Sequence, residues 1–425
     1  MKKNLILKTL FLSLCIHIIL TSCRENSDTI PSFFDDNNVT DSISTFAEFF
    51  KDFWIAMNCN YPIWDYEAEH GINWDNVFNE YYPKFQMLDN IADGTNDREI
   101  RGKTVQMLDE ILSPLHDGHF TVEIKYLDST GVAHDWYDYQ PQKKRVSERN
   151  DYASIKQTNI NYYYSGTAGS NQVIHFEKYS KEYEYAEFED GILYLKIERF
   201  YASIYETFLE QDDKLRLMWY SWFNRVQELH KQKKLKGIII DLRNNSGGND
   251  KNYQYVIGAL QAPDVNNEVR VGYTRRKVGV GRNDFSPLTP MLYPVYNDEH
   301  AIIKDEHIVV LSNCWTSSCA EICCEGAKKM SNARIIGTQT WGCLSPFVDK
   351  YEKTYAGEVS RETNTRFPIK LRIPSAAYFT ENKKIIEGIG IIPDIPVELD
   401  VDEYERTGGR DTQLERALDY IRTGK

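Results

Sequence analysis

The sequence predicts an α/β protein with a helical amino-terminal region, a strand-rich middle and a largely parallel sheet in its second half. Three observations carry that prediction. Aromatic and aliphatic residues recur at helical spacing over 43–115, apolar runs broken by Ser-Gly and Glu-Asp-Gly turns fill 120–200, and from residue 203 helices and strands alternate. The chain has 425 residues, 41% hydrophobic and 27% charged, enough for one large or two to three ordinary domains.

Residues 1–22 differ in kind. Lys2, Lys3 and Lys8 lead into an apolar run from Thr9 to Leu20, too short for an ordinary membrane span and placed like a secretory leader. The run ends in Leu20-Thr21-Ser22-Cys23, which resembles the lipobox of bacterial lipoproteins. Cys23 is therefore expected to be the lipidated first residue of an outer-membrane lipoprotein facing the periplasm or the cell surface. Residues 23–42, rich in Asn, Asp and Ser, read as a flexible tether.

The helical domain is expected over 43–119, with Phe46, Phe49, Phe50, Phe53 and Trp54 on one stripe and Met107, Leu108, Ile111 and Leu112 on another. Such stripes build cores. A β-rich segment follows over 120–190 without internal repeat. The α/β core is expected over 191–425, closing on a carboxyl-terminal helix. Within it the pattern predicts a helix up to Leu235, strands at Gly237–Leu242, Val269–Tyr273 and Ile308–Leu311, and helices at Tyr253–Leu260 and Ser318–Met330.

Charge and cysteine usage narrow the classes. The formal charge is −13, and loss of the leader would remove three basic residues and no acidic one. An acidic chain of this kind argues against a nucleic-acid partner. Five cysteines, Cys314, Cys319, Cys323, Cys324 and Cys343, crowd one short span, with Cys59 apart. Their spacing fits neither a zinc template nor helix-neighbour disulfides, so they read as buried small hydrophobes.

In an open parallel sheet, chemistry gathers at the carboxyl ends of strands, and two such ends stand out. Gly237-Ile-Ile-Ile-Asp-Leu-Arg-Asn-Asn-Ser-Gly-Gly248 runs from an apolar strand into paired glycines. Gly247 and Gly248 either aim backbone N–H groups at a developing anion or form an ordinary turn. The second end is Ser312-Asn-Cys-Trp-Thr-Ser-Ser-Cys-Ala-Glu321. Thr316, Ser317 and Ser318 all suit helix capping, and any of them would also sit beside free N–H groups at a helix start.

In combination these two motifs resemble the carboxyl-terminal processing, or tail-specific, serine peptidase family, in its tricorn-like and interphotoreceptor-retinoid-binding-protein-like branch. Further matching stretches are Asn58-Cys-Asn-Tyr61, Ile72-Asn-Trp-Asp75, Leu115-His-Asp-Gly-His119, Ile192–Phe200 and Glu387-Gly-Ile-Gly-Ile-Ile-Pro-Asp394, in the family's order. The resemblance implies a crotonase- or ClpP-like core. It also implies that Ser318, three residues before Glu321, is the nucleophile. The oxyanion would be held by the N–H of Cys319 and of Gly247 or Gly248.

The base departs from the tail-specific pattern. That branch carries a lysine in the turn matched here by Thr340-Trp-Gly-Cys-Leu344, and Cys343 stands in its place. The tricorn-like branch uses a histidine matched by His119 and a glutamate matched by Glu387, which implies a Ser-His-Glu site. There a serine precedes the histidine, where this chain has Gly118. The expectation is a serine peptidase acting on peptides or unfolded proteins of the cell envelope, without metal or cofactor. No PDZ-like segment supports recognition of substrate tails. A non-catalytic binding lipoprotein on the same fold, and a crotonase-like acyl enzyme, stand as alternatives.

Overall fold

The computed structural model describes residues 42–92, 97–128, 130–141, 159–166, 169, 171–179, 183–200, 213–262, 267–295, 303, 305–347 and 357–425. The leader, Cys23 and all but the last residue of the tether lie outside them.

The fold is mixed α/β, with a helical amino-terminal region and three sheets. Fourteen strands are present among the described residues: β1 (Thr121–Leu127), β2 (Ala133–Tyr139), β3 (Val173–Lys178), β4 (Tyr183–Phe188), β5 (Ile192–Ile197), β6 (Gly237–Asp241) and β7 (Glu268–Arg276); then β8 (Thr289–Pro294), β9 (His307–Ser312), β10 (Ala333–Gly337), β11 (Glu358–Arg361), β12 (Ile369–Arg372), β13 (Ala376–Phe379) and β14 (Ile395–Pro396). The central sheet has the order β14-β10-β9-β6-β5-β4-β3, parallel from β14 to β5 and antiparallel beyond. The segment read as a β-rich middle divides: β1 and β2 join β11 and β12 in a four-stranded sheet, whereas β3 and β4 extend the central one.

The parallel strands are mostly apolar because helices cover both faces, with polar residues such as Lys196, Asp241 and Ser312 toward their carboxyl ends. Leu193, Leu195, Ile238, Ile240, Ile308 and Val310 face one core with Trp219 and Trp222 of the helix Asp213–Lys231 and with Ile322 and Cys323 of the helix Cys319–Ala327. The alternate residues Tyr194, Ile239, Val309 and Leu311 face the other side, under Leu414 and Leu418 of the helix Thr412–Thr423. That last helix starts where Asp411 accepts from the N–H of Gln413 and Leu414, an N-cap that satisfies donors left open by the first turn. A separate core joins the amino-terminal helices to the four-stranded sheet, with the stripe residues Phe46, Phe49, Phe50 and Phe53 packed beside Val122, Ile124 and Leu371.

Two predicted spans shorten. The helix expected over Tyr253–Leu260 covers Tyr253–Val256, and the one expected over Ser318–Met330 covers Cys319–Ala327. The first carries Gly258, which packs against Gln254 and the Pro294 carbonyl. The second begins one residue later because Ser318 leaves helical geometry altogether. Cys59, Cys314, Cys319, Cys323, Cys324 and Cys343 are all buried and unbridged, packing as small apolar groups.

Candidate active site

The loops after β6 and β9 leave the sheet side by side and are clipped together. Asn313 Oδ1 accepts the Asn244 N–H at 2.9 Å, and Asn313 Nδ2 donates to Asn244 Oδ1 at 2.8 Å. The Thr316 hydroxyl donates to the Leu242 carbonyl at 2.8 Å, and the Ser317 N–H to the Asn245 carbonyl at 2.9 Å. These bonds separate three hydroxyls that the sequence leaves equivalent. Thr316 and Ser317 are buried and tied across the two loops, while Ser318 stays half-exposed at the helix start.

Ser318 has φ 57° and ψ −126°. For a residue with a Cβ this is a strained region, costing on the order of 1–3 kcal/mol, and such strain persists only where surrounding contacts impose it. Here the Ser318 N–H donates to the Cys343 carbonyl at 2.9 Å and to Glu321 Oε2 at 3.1 Å. Glu321, in the first turn of the helix, does more than complement its dipole. Completely buried, it also accepts from the Thr340 hydroxyl at 2.6 Å and from the N–H groups of Gly342 and Cys343 at 2.8 and 2.9 Å. It latches the helix start to the loop after β10.

Of the two glycines of the first loop, Gly247 presses against this point and Gly248 against Phe200. A Cβ on Gly247 would lie 2.6 Å from the Ser318 Cβ and 2.9 Å from the Cys319 nitrogen; on Gly248 it would lie 1.9 Å from the Phe200 carbonyl oxygen. Only a residue without a side chain allows that approach. The two differ in what their N–H groups do. That of Gly247 donates to Asn245 Oδ1 at 2.8 Å, whereas those of Gly248 and Cys319 meet no acceptor among the described residues. Of the three candidate N–H groups, those of Cys319 and Gly248 are the ones not already spent within the described residues.

His119 follows the amino-terminal helices and immediately precedes Phe120 and β1. Asp117 Oδ1 accepts the N–H groups of His119 and Phe120 at 2.7 and 3.0 Å, which fixes the turn. Burial pushes the His119 imidazole down to about 4; a backbone hydrogen bond to Ser345 opposes that, and the nearby charge of Arg372 adds to it. His116 is engaged elsewhere, its Nδ1 2.7 Å from Glu67 Oε2 in a buried pair that also takes the Tyr61 hydroxyl at 2.8 Å.

Glu387 is buried. Its Oε1 accepts the N–H groups of Leu344 and Ser345 at 2.9 and 2.5 Å, and its own carbonyl accepts the Tyr66 hydroxyl at 2.9 Å. Burial, with the neighbouring Asp117 charge next, pushes Glu387 up to about 8; burial likewise pushes Asp117 up to about 7. Two carboxylates close together in low dielectric do not readily both ionise.

Ser318, His119 and Glu387 thus converge on the segment Cys343–Ser345 from three directions. Ser318 reaches the Cys343 carbonyl, Gly118 packs on the Cys343 side chain, and Glu387 accepts from the Leu344 and Ser345 N–H groups. No hydrogen bond links the Ser318 hydroxyl, the His119 ring and the Glu387 carboxylate to one another. His119 Nδ1, Glu387 Oε2 and Asp117 Oδ2 are buried without a partner. The direct Glu387–His119 hydrogen bond implied by the resemblance is not formed, and Glu387 is spent instead on the Leu344 and Ser345 N–H groups. Asp117 was passed over except as part of a motif, and the Asp-Gly-His spacing of its Asx-type turn was the signal for its part. Asp241 and Arg243 fix the end of β6 in a buried network with Asp411 and Gln413.

Residues 191–397 match the profile of peptidase family S41, a little under half of the chain. A carboxy-terminal-processing protease from Bartonella bacilliformis is 31% identical over 170 residues, a match spanning 39% of this chain and 32% of that protein. Among solved structures, a proposed peptidase from Parabacteroides merdae superposes with a TM-score of 0.58 at 20% identity, covering 89% of this chain and 97% of the other. Mature CPAF complexed with lactacystin gives 0.59 at 12% identity, covering 90% and 99%. At these identities the structural likeness speaks for the fold. Together the matches support a likeness to peptidase family S41 over residues 191–397, and the chain spans about a third of the curated relative it matches.

Proposed function

We propose that this chain, supported as an S41 peptidase, is a serine-type endopeptidase in which Ser318 attacks a peptide carbonyl. His119 takes the serine proton and later gives it to the leaving amine. The N–H groups of Cys319 and Gly248 hold the oxyanion, with Gly247 allowing the close approach. The observation that carries this reading is the strained Ser318, raised at a helix start beside two unused N–H donors.

The electrostatics bear on the proton's path. An imidazole held down to about 4 is neutral at pH 7 and free to accept a proton, but it is a weaker base than an ordinary histidine. The imidazolium so formed would favour ionisation of the Glu387 and Asp117 carboxyls beside it, so that positive charge on the base and negative charge behind it rise together. Glu387 is assigned to orienting His119. The proposed setting is the cell envelope, with the protein anchored by a lipid at Cys23 and acting on peptides or unfolded proteins.

The unclosed Ser318–His119–Glu387 arrangement, together with Cys343 in the lysine position, favours one second reading, a peptide-binding protein on the same fold. Fluorophosphonate labelling separates the two. The peptidase reading expects labelling of the wild type that disappears in Ser318→Ala and falls steeply in His119→Ala. A wild type that resists the probe favours the binding protein, and labelling that survives Ser318→Ala removes Ser318 as the nucleophile.

A further inference from the structure

One cation beside the site has no part in the reaction above. Arg372 ends β12, and its register partners are Thr121 on β1, the second residue after His119, and Glu358 on β11. Its guanidinium lies 4.2 Å from the centroid of the Phe347 ring, and that ring meets the His119 imidazole edge-on at 5.2 Å. Arg372 is exposed. Among the described residues it holds no carboxylate, unlike Arg243, Arg275, Arg282 and Arg361, which hold Asp241, Asp65, Asp75 and Asp52.

We propose that Arg372 forms a carboxylate subsite of the peptidase, receiving a free C-terminal carboxylate or an acidic side chain of the peptide next to the scissile bond. The inference rests on the peptidase reading. Glu321, Asp117 and Glu387 are all acidic groups gathered at the site, on a chain of formal charge −13. These three acids are buried, whereas Arg372 presents its charge to solvent beside the His119 ring. Stacking on Phe347 holds the planar guanidinium in place while its N–H edge stays open to solvent, the geometry that takes a carboxylate through two parallel hydrogen bonds. The placement also couples recognition to chemistry. Arg372 disfavours a positive charge on His119, and a carboxylate seated on Arg372 would relieve that, so a matching substrate would strengthen its own base.

The test uses two pairs of peptidyl fluorophosphonates, each pair identical but for one group. The first pair ends in a carboxylate or a carboxamide; the second carries aspartate or asparagine. The readout is the second-order rate of Ser318 labelling. The wild type is expected to prefer one carboxylate probe over its neutral twin by about tenfold, the worth of a charge-assisted hydrogen bond. Arg372→Gln should bring that ratio to about one, and Arg372→Lys should restore part of it. Which pair discriminates identifies the carboxylate as terminal or side-chain. Ratios near one for both pairs in a wild type that labels normally would overturn the subsite and leave the peptidase intact. Failure of every probe to label Ser318 would instead overturn the peptidase reading, and the subsite with it.

Discussion

A Cβ placed on Gly118 would lie 2.6 Å from the Cβ of Cys343 and 2.9 Å from its sulfur. These are the two positions where the chain departs from the patterns it otherwise resembles, a glycine in place of the serine before the histidine and a cysteine in place of a lysine. In the folded chain they touch. The departures are therefore one packing arrangement, and they should be tested together. Gly118→Ala is expected to destabilise by about 1–3 kcal/mol through overpacking, read from urea unfolding. Adding Cys343→Gly should recover about 1 kcal/mol or more of that loss as coupling between contacting sites; additive effects would show that the contact is not what excludes a side chain at 118.

Ser318 holds a backbone conformation suited to glycine. Ser318→Gly should abolish fluorophosphonate labelling while raising stability by about 1 kcal/mol, the strain released at a site of this kind. A variant that loses both labelling and stability would mean that the serine's contacts outweigh its strain.

Glu321 accepts four donors in a buried setting. Glu321→Gln places an amide among N–H groups that need acceptors, and a buried donor left without a partner costs about 1–3 kcal/mol. Urea unfolding should show a loss of at least that size, with labelling of Ser318 slowed in parallel. Unchanged stability would rule out the latch.

Glu387, held up to about 8, makes stability fall with pH. The folded state keeps a proton that the unfolded chain releases near the ordinary carboxyl value, so between about pH 4.5 and 8 the unfolded state binds fewer protons and unfolding becomes easier as pH rises. Glu387→Gln should flatten that decline, seen as a smaller drop in urea midpoint from pH 5 to pH 8. An identical decline in the variant would assign it to other groups.

His119 carries the opposite sign. Its folded value of about 4 lies below the ordinary 6.5, so the neutral ring persists well into acid. The acid limb of Ser318 labelling against pH should lie near 4 rather than near 6.5. Stability contributed by the neutral ring is present above about pH 6.5 and is lost as pH falls toward 4. A limb at 6.5 would place His119 in solvent-like surroundings.

Periodicity and composition made the larger features readable. The largely apolar runs at Ile192–Ile197, Gly237–Asp241 and Ile308–Leu311 announce buried parallel strands, because a strand covered on both faces reads as a near-continuous apolar run. The aromatic stripe of Phe46–Trp54 announces a core helix for the same reason of burial. Ser318 was singled out by motif, and so were His119 and the glycine pair. Local spacing could not tell Gly247 from Gly248, since the difference lies in whether Asn245 Oδ1 takes the N–H. Nor could it bring Glu387 to Ser345, Gly118 to Cys343, or Arg372 across Phe347 to His119. Those contacts join residues tens to hundreds of positions apart, and the partners are chosen by where strands end and loops cross in space. The chain's pattern settles which residues are buried; which buried polar groups meet is decided only when the sheets are assembled.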